Sequence, residues 1–465
     1  MWVLNPLATT SLFGLGLLAR FEAQRKTRPP VLGEEDGSMR FPGIRKGKYY
    51  FPVTEKKSTL TADTSSKPWY IVGLDEVIVD LEIHGCPQTL LPELGLVAGE
   101  SVQFSAEKIS RLLARVSELG LEVHFAAGGT VANTLCNYTH LSGEPAILLG
   151  AIPELIRPGT PAFSYVAQTP KAVSLEYLVS VAGEVGIAVT CFTPDGERSF
   201  AVAPGISGNY RPEDIPEEVI RRASVVLTSV YCLANPSRPI SDAAIRMMEI
   251  AHAAGVPVAF GMGTSTIVRR MHAEILDILK KYVNIAAMNA REAEALTGFS
   301  DPLLAGNALL DVTDAVLITE GARGLTMCGY TDDSVKRATR DGLHSGSIEN
   351  YNQYEYSRLV LRHHCPNPVR IFTHIHPYLG GPQRLQNTSG AGDAALAAFL
   401  HDVAATRYHA ESVPDSKKHS ANIQFLTYSS LSRNAQYGNR VAYEVLRNNS
   451  PRLEAPIGND KENDG

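Results

Sequence analysis

The 465-residue chain lacks the charge asymmetry of a nucleic-acid or membrane-surface protein: 43 Lys and Arg stand against 49 Asp and Glu, and the basic residues are scattered. A continuous basic groove has no support. Cysteine is sparse as well. Cys86, Cys136, Cys191, Cys232, Cys328 and Cys365 lie far apart with no CxxC pair, which argues against a disulfide framework and fits a reducing cytoplasm. Long apolar runs are also missing. The opening "MWVLNPLATTSLFGLGLLARFEAQRK" lacks a basic n-region and is too interrupted to span a bilayer. Residues 1–38 are expected to be disordered or to follow from a start codon placed too early, because Met39 opens "MRFPGIRKGKYYFPV", which reads like a protein start. Residues 451–465 read as a polar tail.

With 44% hydrophobic residues, the chain can bury the core of a large α/β domain. From Trp69 onward, short apolar runs alternate with helical patterns, the mark of a mostly parallel sheet covered by helices. "WYIVGL" reads as a strand, "AEKISRLLARVSELG" as an amphipathic helix stopped at Gly120, and "LEVHFAAGG" as a strand entering a glycine turn. The segment "VGIAVTCFTPDGERSFAVAPG" breaks the rhythm. It reads as a hairpin turning at Pro194, Asp195 and Gly196, and with "DLEIHG" it suggests a small β lid, with strands near 80–104 and 160–208. Residues 329–386 are polar and tyrosine-rich and read as an insertion in a domain running from 39 to 450.

Five motifs carry candidate chemistry. In "LQNTSGAGDAALAAFL", Gly390, Ala391 and Gly392 bare the backbone at the start of a helix and Asp393 follows at once; the combination suits an anion, although a capped helix reads the same way. It is neither a Walker loop nor GxGxxG. In "FAAGGTVANTLCNYTHLS", Gly128 and Gly129 open space before Asn133, whose amide could bond ligand hydroxyls. In "AAMNAREAEALTG", Asn289 and Glu292 stand where they could hold hydrated Mg²⁺ or simply form a capping box. "AVLITEGARGLTMCG" turns through Gly321 and Gly324, as a hairpin or a nucleotide-side turn. In "VGLDEVIVDL", Asp75 and Asp80 could grip a vicinal diol or be solvated surface acids.

Other features are weaker. His363, His364, Cys365, His374 and His376 cluster in sequence but match no standard zinc spacing. Tyr231 could contact a ligand but reads first as core or rim, and Phe163 and Tyr165 read as aromatic candidates for stacking on a base.

In their order along the chain, the glycine pair, NxxE, glycine turn and GAGD resemble the PfkB (ribokinase-like) family of sugar and nucleoside kinases, over about residues 69–450. The segments "MRFPGIRKGKYYFPV" and "YIVGLDEVIVDLE" are most similar to its bacterial branch acting on inosine and guanosine. The resemblance implies a doubly wound sheet with a β lid and ATP-dependent phosphorylation of a nucleoside 5′-hydroxyl, with Mg²⁺ as cofactor and K⁺ left open. It implies ATP and a purine nucleoside as partners, with no nucleic acid or membrane, and leaves a homodimer open. Asp393 matches the catalytic base and residues 390–392 the anion hole; Asn289 and Glu292 match the Mg²⁺–phosphate motif; Gly321 and Gly324 match the ATP-side turn. Gly128, Gly129, Asn133, Asp80 and, less closely, Asp75 match the substrate site. Asn387 departs from the family, most members having Asp there. At a helix N-terminus, Asp393 is expected to keep a low pKa. A ribokinase- or fructokinase-like sugar kinase and a non-catalytic nucleoside-binding protein are the alternative readings.

Overall fold

The computed structural model describes residues 70–96, 101–193, 198–339, 347–386, 388–412, 416, 418 and 422–454. The expectations for residues 1–38, the Met39 segment, the turn at Pro194–Gly196, Asn387 and the end of the tail lie outside the described residues.

Short, nearly continuous apolar runs build the central strands: β1 (Ile71–Leu74), β5 (Ala146–Pro153), β10 (Val226–Ser229), β11 (Val258–Gly261), β12 (Ile285–Asn289) and β13 (Ala315–Thr319). They pair in parallel in the order β5-β1-β10-β11-β12-β13. The chain leaves β1 toward β5 and returns across it to β10, so the winding reverses beside β1. Antiparallel β14 (Leu325–Asp332) and β16 (Pro368–Ile375) extend one side, and β6 (Val173–Ser174) and β7 (Leu178–Val181) pair with β5 on the other.

The covering helices are α1 (Thr130–Ser142), α2 (Pro239–Ala253), α3 (His272–Tyr282), α4 (Ala290–Thr297), α5 (Pro302–Leu309), α6 (Ala391–Ser412) and α7 (Leu431–Leu446). Alternate strand residues point to opposite faces. Ile285, Ala287, Ala315 and Leu317 join the core under α1, α6 and α7, whereas Ala286, Met288, Val316 and Ile318 join the core under α2 to α5. Both faces are therefore buried, as a parallel sheet requires.

A second sheet stands at the strands' C-terminal edge. It contains β2 (Ile78–His84), β3 (Ser101–Gln103), β4 (Val123–Ala127), β8 (Gly186–Phe192) and β9 (Arg198–Ala203), in the order β3-β9-β8-β2-β4. The hairpin partners β8 and β9 pair antiparallel. β4 belongs here too, antiparallel to β2, although its position before a glycine turn resembles a core βα unit.

The polar stretch read as an insertion contributes to the frame. β16 pairs with β14 along its whole length, and β15 (Arg358–Val360) pairs with β17 (Phe425–Ser430). The expected tail also starts too early at 451, because Pro451, Arg452 and Leu453 are buried. Among the described residues, no helix is long and apolar enough to cross a membrane.

Candidate active site

The site lies where the C-terminal ends of the parallel strands meet the lid sheet. Asp75 directly follows β1, Asp80 sits within β2, and Asn289 ends β12. The N-termini of α1 and α6 enter the same space, which brings Thr130, Asn133 and Asp393 together.

Asp393 lies in the first turn of α6, where backbone amides have no carbonyl four residues earlier to bond. Thr130 Oγ1 donates to its Oδ1, and Asn133 Nδ2 donates to its Oδ2 at 3.5 Å. Burial outweighs both donors and nearby Arg452, and the pKa is pushed up to about 6. The low pKa expected from the helix terminus is corrected: desolvation wins over the helix dipole here.

The glycine pair makes room for two acids. A Cβ on Gly128 would lie 2.5 Å from the Asp80 carboxylate, and one on Gly129 would lie 2.5 Å from Asp75 Oδ2. Gly129 also has φ +93°, a conformation that L side chains rarely adopt. The space foreseen for a ligand beside these glycines is thus partly filled by the acids expected to grip it. Ala132 N donates to Asp75 Oδ2 at 2.9 Å. Burial, reinforced by Glu76 and Asp393, pushes Asp75 up to about 8; burial and Glu82, followed by Asp393, push Asp80 up to about 7.

At the β12 edge, both readings of NxxE bear on the same residues. Asn289 Oδ1 accepts from Glu292 N at 3.0 Å and Glu292 Oε2 accepts from Asn289 N at 2.9 Å, a complete capping box. Glu292 is nevertheless buried and raised to about 7, by burial first and Asp393 among the other causes. Gly321 (φ +57°) and Gly324 (φ +109°) shape the turn from β13 to β14. A Cβ at 324 would lie 2.0 Å from Ile375 O, so that glycine serves the packing of β16. Gly321 has open space around it.

Gly390 has φ +79°, and a Cβ there would fall 2.3 Å from Pro451 O. Gly392 is open, its nearest neighbour being Thr319 Oγ1 at 4.0 Å. The GAGD turn therefore presents one face to the site and presses the other against the C-terminal segment.

Thr130 and Arg452 were not foreseen as site residues, and Tyr231 was weighed as a ligand contact but read first as core or rim. Thr130 follows the glycine pair and could have been found as a donor at a helix start. Arg452 Nε donates to Asn133 Oδ1 at 2.8 Å and Nη2 to Gly128 O at 3.4 Å, across separations of 319 and 324 residues that no local pattern reveals. Tyr231, read as core or rim, follows β10, and burial followed by Glu292, Asp393, Asp80 and Asp75 pushes its hydroxyl up. Its charged surroundings place it at the acid cluster.

Of the aromatic candidates, Tyr165 is 0% exposed and belongs to the core, while Phe163 is 41% exposed. In the histidine-rich stretch, His374 Nε2 is 3.0 Å from Arg323 O, and Cys365 Sγ donates to Leu361 O.

Residues 96–339 match the pfkB family carbohydrate kinase pattern. A guanosine-inosine kinase of Escherichia coli strain K12 is 42% identical over 420 residues, spanning 89% of this chain and 96% of that protein. The chain belongs to the PfkB family. It is a phosphotransferase with the ribokinase-like α/β fold. Among solved structures, an adenosine kinase from Sinorhizobium meliloti superposes with a TM-score of 0.61 at 20% identity, covering 83% of this chain and 97% of that one. A probable sugar kinase from Rhizobium etli CFN 42 gives 0.61 at 19% identity, covering 84% and 96%. At such identities the likeness concerns the fold of this PfkB member alone.

Proposed function

We propose that this enzyme transfers the γ-phosphoryl group of ATP to the 5′-hydroxyl of guanosine and inosine, giving GMP and IMP. The observation that carries the substrate assignment is the 42% identity to a guanosine-inosine kinase along 89% of the chain. The arrangement around Asp393 supports the chemistry.

In this reading, Asp393 accepts the proton of the 5′-hydroxyl as its oxygen bonds to the γ-phosphorus and the bond to the β-phosphate bridge breaks, releasing ADP. With a pKa of about 6, Asp393 is mostly ionised at neutral pH and close enough to neutrality to take a proton as the bond forms. The first-turn amides at residues 390–392 meet the charge on the transferring group. Asp80 and Asp75, with Gly128, Gly129 and Asn133 around them, receive the ribose, and the lid sheet carrying Asp80 limits water. Gly321 leaves room on the ATP side.

Among the described residues, no group of three His, Cys, Asp or Glu forms a ready metal cage. The buried Glu292 carboxylate beside Asn289 fits a cation brought by the nucleotide, since Mg²⁺ commonly keeps its waters and uses few protein ligands. Glu292 and Asn289 are the residues that would hold the hydrated Mg²⁺–phosphate unit; the bound ion supplies charge neutralisation on the phosphoryl oxygens.

An acceptor panel tests the assignment. With ATP and Mg²⁺, guanosine and inosine should give far higher kcat/KM than adenosine, ribose or fructose. Preferential phosphorylation of a free sugar would replace the nucleoside reading by a sugar-kinase one, and absence of ATP turnover with every acceptor would favour a binding protein.

A further inference from the structure

We propose that Arg452 is a positioning residue for phosphoryl transfer: by donating to Asn133 Oδ1 it fixes which end of the Asn133 amide faces Asp393. The inference rests on the reading of Asp393 as the base.

The two ends of an asparagine amide are nearly equal in size, so only their partners orient it. A guanidinium carries donors and no acceptor. Arg452 Nε, 2.8 Å from Oδ1, therefore requires the carbonyl end, and Nδ2 is left to face Asp393 Oδ2 at 3.5 Å. A flipped amide would set NH₂ against guanidinium and a carbonyl against a carboxylate, two repulsive contacts in a buried site. Asn133 is 5% exposed and Arg452 7%, so water cannot cheaply replace either interaction.

The guanidinium is held by construction. Asn137, one turn further along α1, donates from Nδ2 to Pro451 O at 3.4 Å and accepts from Leu453 N at 2.8 Å. Leu453 is 3% exposed, and Gly390 has no side chain where Pro451 O presses on it. Arg452 Nη1 is buried without a hydrogen-bond partner among the described residues. The C-terminal segment thus bridges the mouths of α1 and α6.

The groups facing Asp393 are Asp75 and Asp80 from β1–β2, Thr130 and Asn133 from α1, Tyr231 after β10, Glu292 from α4 and Arg452 from the C-terminal segment. Arg452 is the cation in this set. Its charge and the Asn133 amide both favour the ionised carboxylate, so removing it raises the pH needed to ionise Asp393.

The test is the pH profile of kcat with guanosine and ATP–Mg²⁺ for the full chain and its Arg452→Gln, Arg452→Lys and Asn137→Ala variants. Arg452→Gln should move the acid limb up by about one pH unit, making its deficit roughly fivefold larger at pH 6 than at pH 8.5. Arg452→Lys should move it less, and Asn137→Ala, which loosens the segment, should move it in the same direction. A merely structural role would lower thermal stability or kcat without moving the limb. Superimposable limbs overturn the proposal, and should Arg452→Gln fail to fold, the other two variants decide by the same criterion. An inactive Asp393→Asn enzyme beside unmoved limbs would refute Arg452's role alone, whereas an active one would refute the underlying assignment.

Discussion

Thr130 donates its hydroxyl to Oδ1 of Asp393 across 263 residues of sequence, joining the first turns of α1 and α6. This bond favours the ionised carboxylate against the burial that raises its pKa. Thr130→Val keeps the shape and deletes the donor. The acid limb of its kcat profile should move to higher pH by about one unit, with turnover near pH 6 falling about fivefold, while Thr130→Ser stays close to the parent. An unmoved limb in the valine variant would show that the bond does not tune the base.

Glu292 serves the α4 cap and also stands beside the proposed phosphate site, and two substitutions separate these duties. Glu292→Gln can still accept from Asn289 N, so stability near pH 5, where the folded parent's carboxyl is largely protonated, should change little while the KM for ATP–Mg²⁺ rises. Glu292→Ala should also lose about 1 kcal/mol of stability through the cap. Paired urea melts and ATP titrations measure both effects. An unchanged KM in the glutamine variant would assign Glu292 to the cap alone.

The acid cluster makes the ligand-free enzyme less stable as pH rises. Asp75 has a folded pKa of about 8 against an ordinary value of 3.8, so the folded chain holds a proton that the unfolded chain releases. Its contribution is fully present below about pH 4 and is lost as pH climbs toward 8. Asp80 and Glu292, each at about 7, act in the same sense. Asp75→Asn retains an acceptor for Ala132 N and removes the charge. Its Tm at pH 8 should exceed the parent's by a few degrees, with the gap closing toward pH 5, and nucleoside phosphorylation should fall. A gap that widens at low pH would reverse the assigned sign.

Much of the site was legible because each motif is local. The first-turn position of Asp393, the capping residues Asn289 and Glu292, and the glycine pair before Asn133 all follow from short-range backbone requirements. What local pattern could not reveal was partnership. β4 has the composition of a core strand, and only its pairing with β2 assigns it to the second sheet. β16 is polar enough to resemble an insertion because it lies at the edge of the main sheet, next to β14. Arg452 lies in a stretch that reads as tail, yet its energetics depend on Asn133 and Gly128 more than 300 residues earlier. The pKa of Asp393 was misjudged for the same reason: a helix terminus is visible in sequence, whereas burial among other acids is not.

Asp393 is proposed to take the acceptor's proton in this nucleoside kinase. Turnover of guanosine by Asp393→Asn, with guanosine affinity measured separately by calorimetry, tests it most directly. A fall in kcat of about 10² to 10⁴-fold with affinity nearly unchanged is expected; turnover within a few-fold of the parent enzyme would contradict this role.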